Sequence, residues 1–124
     1  MVLINDLTVV IVTYMTNDQI LDECIQSILG KAKILVIENS DNKDFKLKYE
    51  NKYPNLEVIL SGSNLGYGAG NNKGINLAKT RYVLISNPDV IYENNFFSNL
   101  KTYIDRNTEF SIIGPIYRSE DYAS

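Results

Sequence analysis

The chain has 124 residues, 44% apolar and 22% charged, which suits one domain with its own core. It has one cysteine and no histidine, which excludes an intramolecular disulfide, Ser-His-Asp and Cys-His catalysis, and histidine-ligated zinc. Its 12 basic and 15 acidic residues form no basic stripe for nucleic acid, and no apolar run nears the ~20 residues of a membrane span.

The start, Met1–Val12, is apolar but lacks the basic head of a secretion signal, so a cytoplasmic protein is expected. Thr8–Thr13 is a β-branched run and predicts a buried strand. Residues 17–29 put Ile20, Leu21, Cys24, Ile25, Ile28 and Leu29 on one helical face. Asn17 is suited to cap that helix and Gly30 to end it, and Cys24 reads as a core thiol. Ile34–Ile37 predicts a second strand. Residues 44–52 predict a weaker helix with Phe45 and Tyr49 four apart, broken by Pro54 and Asn55. Leu56–Leu60 predicts a third strand. A glycine-rich loop over Ser61–Gly70 follows, then a short helix over 71–79 with Ile75 and Ala78 facing inward. Tyr82–Ser86 predicts a fourth strand and Asn87–Asp89 a turn. A helix over 95–106 would bury Phe96, Phe97, Leu100, Tyr103 and Ile104, and Phe110–Ile113 predicts a fifth strand, ended by Gly114 and Pro115.

Apolar strands alternating with helices predict an α/β fold: an open, mostly parallel, doubly wound Rossmann-like sheet in a three-layer α/β/α arrangement. Ligands of such sheets bind beyond the carboxyl ends of the strands. Polar residues follow four of them: Thr13-Tyr14, Glu38-Asn39-Ser40-Asp41, the run from Ser61 to Gly74, and Asn87-Pro88-Asp89. Their convergence on one rim points to a polar ligand. The glycine run follows the third strand and lacks Gly-Lys-Ser/Thr, so it is neither the dinucleotide fingerprint nor a P-loop. Asp89 with Asn87 offers hard oxygen ligands for Mg²⁺ or Mn²⁺ beside phosphate oxygens. The same two residues also suit a plain turn that caps the next helix.

Several segments together resemble the nucleotide-binding half of family 2 glycosyltransferases, of GT-A fold, and its rhamnosyltransferase-like branch. They are Val10–Tyr14, Val36–Ser40, Asn64–Gly74, Asn87–Val90 and Ile113–Pro115. The resemblance implies that a nucleoside-diphosphate sugar, UDP- or dTDP-type, is bound with Mg²⁺ or Mn²⁺ for inverting sugar transfer. It implies that Thr13 and Tyr14 line the base pocket and that Glu38 contacts the base or ribose. Asn64, Gly66 and Asn87 continue the nucleotide site, Asn72 and Gly74 lie near the sugar-diphosphate, and Asp89 holds the metal together with Asn87. Cell-surface polysaccharide assembly, with peripheral membrane association through pathway partners, is the implied setting.

Some positions depart from the family pattern. Glu38 replaces a shorter aspartate, Asn87 replaces the first acid of the Asp-x-Asp metal motif, and Asn71 stands where arginine is common. On this reading residues 1–115 form the donor half-domain and 116–124 a polar tail containing Glu120 and Asp121. The acceptor half with its catalytic base is then absent, and the chain alone is weakly active or inactive. The alternative is a non-catalytic transferase half acting as an interaction module, a homo-oligomer through an uncovered sheet edge. A phosphorylated receiver shares the length but needs acids after the first and third strands and a lysine after the fifth. The sequence has Thr13-Tyr14, Ser61 and Gly114-Pro115 there.

Overall fold

The computed structural model describes residues 6–106. Four strands, β1 (Leu7–Thr13), β2 (Lys33–Glu38), β3 (Leu56–Leu60) and β4 (Tyr82–Ser86), alternate with helices α1 (Asp18–Ile28), α2 (Lys43–Lys52), α3 (Tyr67–Leu77) and α4 (Phe96–Arg106). The strands pair in parallel in the order β3-β2-β1-β4. The predicted fifth strand and the 116–124 tail lie outside the described residues.

Every residue of β1 is buried, because the strand is central and covered on both faces. Leu7, Val9 and Ile11 pack with Leu21, Cys24, Ile25 and Ile28 of α1, Tyr49 of α2 and Phe97 of α4. On the opposite face Val10 and Val12 join Leu35 and Ile37 beneath α3. This is the expected doubly wound α/β/α sandwich. The chain steps outward from β1 to β3, then crosses the other face to β4, so the order reverses beside β1. The carboxyl ends of β1 and β4 therefore flank the crevice where such sheets take ligands.

Most element boundaries match the expectation to within a residue or two, and α3 does not. It starts at Tyr67, inside the segment expected to be loop, because Gly66 takes a φ of 85° and turns the chain straight into the helix. Its inward face is Gly70, Asn71 and Gly74 rather than Ile75, which is 43% exposed. A Cβ on Gly70 would lie 2.8 Å from Val12 Cγ1, and one on Gly74 would run into Val10. The missing side chains let the helix axis sit low on the sheet, which rotates Ile75 outward. Ile20 of α1 and Tyr103 of α4, both expected inward, are also largely exposed.

The α1–α2 seam repeats one unit at a four-residue interval. Asp18 accepts from Tyr49 Oη at 2.7 Å and Lys48 Nζ at 2.9 Å. Asp22 accepts from Tyr53 Oη at 2.6 Å and Lys52 Nζ at 3.0 Å. The interval matches the helical repeat, so both rungs fall on the facing stripes.

Candidate functional site

At the end of β1, Thr13 is buried and its hydroxyl donates to Glu38 Oε1 at 2.7 Å. The Ser40 hydroxyl donates to Glu38 Oε2. Glu38 is only 5% exposed, yet it forms no ion pair among the described residues. Two hydroxyls orient its carboxylate and leave further lone pairs free to accept from a ligand. Glu38 and Ser40 line a cavity of about 330 Å³ with Tyr14, Met15, Thr16, Asp18, Asn42 and Phe45, a volume that suits a small polar ligand. Aromatic rings and one oriented carboxylate are what a flat heterocycle or a sugar hydroxyl requires.

Helix ends border this cavity. Asn17 caps α1 by accepting from Ile20 N at 3.1 Å, as the sequence predicted, and Asn42 caps α2 through Phe45 N at 3.1 Å. Met15 has a left-handed φ of 50°, and such strain in a non-glycine residue is concentrated at ligand-binding turns. Hydrogen bonds from the Lys48 ammonium and the Tyr49 hydroxyl hold the Asp18 carboxyl below the usual carboxylate range.

Asn39, only 2% exposed, ties three strand ends together. Its backbone N–H donates to Thr13 O at 2.8 Å, its Nδ2 to Gly66 O at 3.0 Å, and its Oδ1 accepts from Ser61 Oγ at 2.7 Å. Asn64 Oδ1 accepts from Gly66 N at 3.0 Å and shapes the turn into α3. Tyr67 completes the belt by donating its hydroxyl to Asn87 Oδ1 at 2.6 Å, beyond β4. No individual role in the site follows from sequence for Asn39, Ser40 or Ser61, whereas Tyr67, which reads from sequence as packing against the glycine loop or touching a ligand, instead bonds Asn87. The available signal was a polar run placed directly after a fully apolar strand.

The Asn87–Asp89 turn is closed by Val90 N donating to Asn87 O at 3.4 Å, and Ser86 Oγ donates to the same carbonyl at 2.9 Å. Cys24 Sγ lies 3.7 Å from that oxygen. Burial pushes the Cys24 thiol up to about 11, which keeps it protonated and inert in the core. Asp89 is exposed and forms no hydrogen bond or ion pair among the described residues. No group of three or more His, Cys, Asp or Glu side chains converges among those residues. One free carboxylate still fits a Mg²⁺-type ion, which commonly takes one or two protein carboxylates and completes its shell with substrate phosphate and water.

Thr13, Tyr14, Glu38, Asn64, Gly66, Asn87 and Asp89 thus lie along the carboxyl rim. Asn72 is exposed on α3, whereas Gly74 faces Val10 and Ile37 within the packed sheet. The neighbouring Asn71 is buried, and its Oδ1 has no partner among the described residues.

Residues 8–123 match the model of Glycosyl transferase family 2. The chain belongs to this family. It is 32% identical over 117 residues to the low-salt glycan biosynthesis hexosyltransferase Agl10 of Haloferax volcanii, covering 91% of this chain and 37% of that protein. It is 28% identical over 114 residues to the uncharacterized glycosyltransferase MJ1057 of Methanocaldococcus jannaschii, covering 86% and 39% respectively. The chain therefore spans well under half the length of these curated relatives. The crystal structure of S. aureus TarS 1–349 shares its fold, with a TM-score of 0.67 at 17% identity over 82% of this chain and 32% of that one. This glycosyltransferase domain thus has the Rossmann-like sheet of the GT-A fold, and none of its described helices is long and apolar enough to cross a membrane.

Proposed function

We propose that this family 2 glycosyltransferase domain binds a nucleoside-diphosphate sugar of UDP or dTDP type along the rim of β1, β2 and β4, for inverting transfer of a hexosyl unit. The observation that carries the reading is Glu38: a buried carboxylate, held by two hydroxyls, in the wall of a cavity of about 330 Å³. Tyr14 and Phe45 offer aromatic surface to the base, and Glu38 accepts from a base N–H or a ribose hydroxyl. Gly66 brings no side chain to the start of α3, so the first-turn N–H groups are open to the diphosphate. The likeness to a hexosyltransferase supports a hexose as the transferred unit.

Asp89 would hold a Mg²⁺ or Mn²⁺ ion together with donor phosphate oxygens, and that ion neutralises charge on the departing diphosphate. Inversion in one displacement needs a carboxylate that takes the acceptor proton, and we assign that base to a position outside residues 6–106.

Titration calorimetry of the intact chain with UDP and dTDP, each with and without Mn²⁺, tests the reading. Saturable binding of at least one nucleotide, tightened by Mn²⁺, is expected. Absence of heat from both nucleotides at millimolar concentration overturns it.

A further inference from the structure

Strand β3 stands at one end of the described sheet, with β2 as its neighbour. Its sequence, Leu-Glu-Val-Ile-Leu, is apolar but for one acid. An apolar edge of this kind is a template on which another chain can add a strand. Alternate residues of a strand turn their backbone groups to opposite sides. Asn55 O accepts from Ile34 N and Ser61 N donates to Glu38 O, both at 3.0 Å, so the odd-numbered residues face β2. Leu56, Val58 and Leu60 therefore turn their N–H and C=O groups to the open side, with Val58 in the middle.

Both outward groups of Val58 are taken by α2. The Val58 N–H donates to Glu50 Oε2 at 2.9 Å, and the Val58 carbonyl accepts from Lys46 Nζ at 2.5 Å. Lys46 Nζ also donates to that same Glu50 oxygen at 2.8 Å, which closes a ring. Carboxylate and ammonium thus imitate the acceptor and the donor that a residue of a neighbouring strand would offer. An i,i+4 ion pair on a helix surface adds little to stability by itself. This pair reaches over the strand edge instead of standing off into solvent. The other i,i+4 pair, Lys101–Asp105 of α4, bonds to no strand among the described residues.

We propose that Lys46 and Glu50 close the β3 edge against strand addition by a second copy of this chain. Two-fold pairing of β3 with its mate places the symmetry axis at the middle of the strand. Val58 would then face Val58 as a hydrogen-bonded antiparallel pair that exchanges both N–H···O bonds. Those are the two groups that α2 holds, so pairing must first break the ring. With the middle residue withheld, Leu56 and Leu60 are left as isolated outward positions on a strand of five residues.

The test compares the intact chain with K46A/E50A and with K101A/D105A. Each double variant removes one positive and one negative charge, so a change in net repulsion does not distinguish them. Sedimentation velocity over a wide concentration range reads self-association, and hydrogen exchange reads the Val58 amide. K46A/E50A is expected to self-associate roughly 10–100-fold more tightly than the intact chain, the range of two net hydrogen bonds. Its Val58 amide should exchange faster than in the intact chain when dilute and slow down when concentrated. K101A/D105A should match the intact chain in both readouts. If K46A/E50A loses its thermal transition, E50A alone is read in the same way, with tighter association and faster dilute exchange expected. Unchanged association after loss of the α2 pair, an equal gain in K101A/D105A, or association that leaves the Val58 amide unprotected each overturns the proposal.

Discussion

A carboxylate that is nine-tenths buried and has no ion-pair partner among the described residues is held by its hydrogen bonds, and at Glu38 those come from two hydroxyls. Thr13 is the more buried donor, and its hydroxyl has no solvent to replace it. Thr13→Val keeps the shape and removes the donor. One carboxylate oxygen is then left unpaired in the interior, so the variant is expected to lose about 1–3 kcal/mol in urea unfolding. Ser40→Ala should lose less, because Ser40 is only partly buried and water can take its place. Equal losses from the two variants would show that burial does not set the strength of this pair. The sequence marked Thr13, Glu38 and Asp89 because polar residues directly after an apolar strand must lie at its carboxyl end. It could not show that Ser40 turns back onto Glu38, or that Tyr67 reaches Asn87 from 20 residues away. Those contacts depend on where two separate loops come to rest.

At the scale of elements the strands were the most legible. Runs such as Val9–Val12 and Ile34–Ile37 are apolar on both faces because the sheet is covered on both sides. The start of α3 was not legible, since glycine clusters signal loops by local propensity and only tertiary packing reveals a helix there. Within that one helix two glycines should respond in opposite ways. Gly68 has open space where a Cβ would sit and no positive φ, so Gly68→Ala should stabilise the domain by up to about 1 kcal/mol through backbone entropy. Gly74→Ala gains the same propensity but drives its Cβ into Val10 and within 3.3 Å of Ile37 Cγ1. Forcing a methyl into a packed core typically costs about 1–3 kcal/mol, so a net loss is expected. Paired thermal melts decide the matter, and a Gly74→Ala variant as stable as Gly68→Ala would mean that α3 is free to lift off the sheet.

At the scale of the whole molecule, the reversal of strand order beside β1 gathers the polar ends of β1, β2 and β4 on one rim. A ligand held there touches segments far apart in the chain, from Thr13 to Asp89, and so reports on the folded state as a whole. A ligand that binds only the folded chain stabilises it by RT ln(1 + [L]/Kd), about 2.7 kcal/mol at one hundred times Kd. For a domain near 100 residues, each 1 kcal/mol moves Tm by roughly 4–8 °C. UDP at that excess with Mn²⁺ should therefore raise Tm by about 10 °C or more. Asp89 is exposed, with no hydrogen bond or ion pair among the described residues, so Asp89→Asn should leave the Tm of the free chain nearly unaltered. The same substitution should erase the part of the UDP shift that depends on Mn²⁺ and keep the part seen in EDTA. Scanning fluorimetry with and without Mn²⁺ separates the two contributions. A full Mn²⁺-dependent shift in Asp89→Asn would move the cation away from this turn, and a lower Tm without ligand would give Asp89 a structural duty instead.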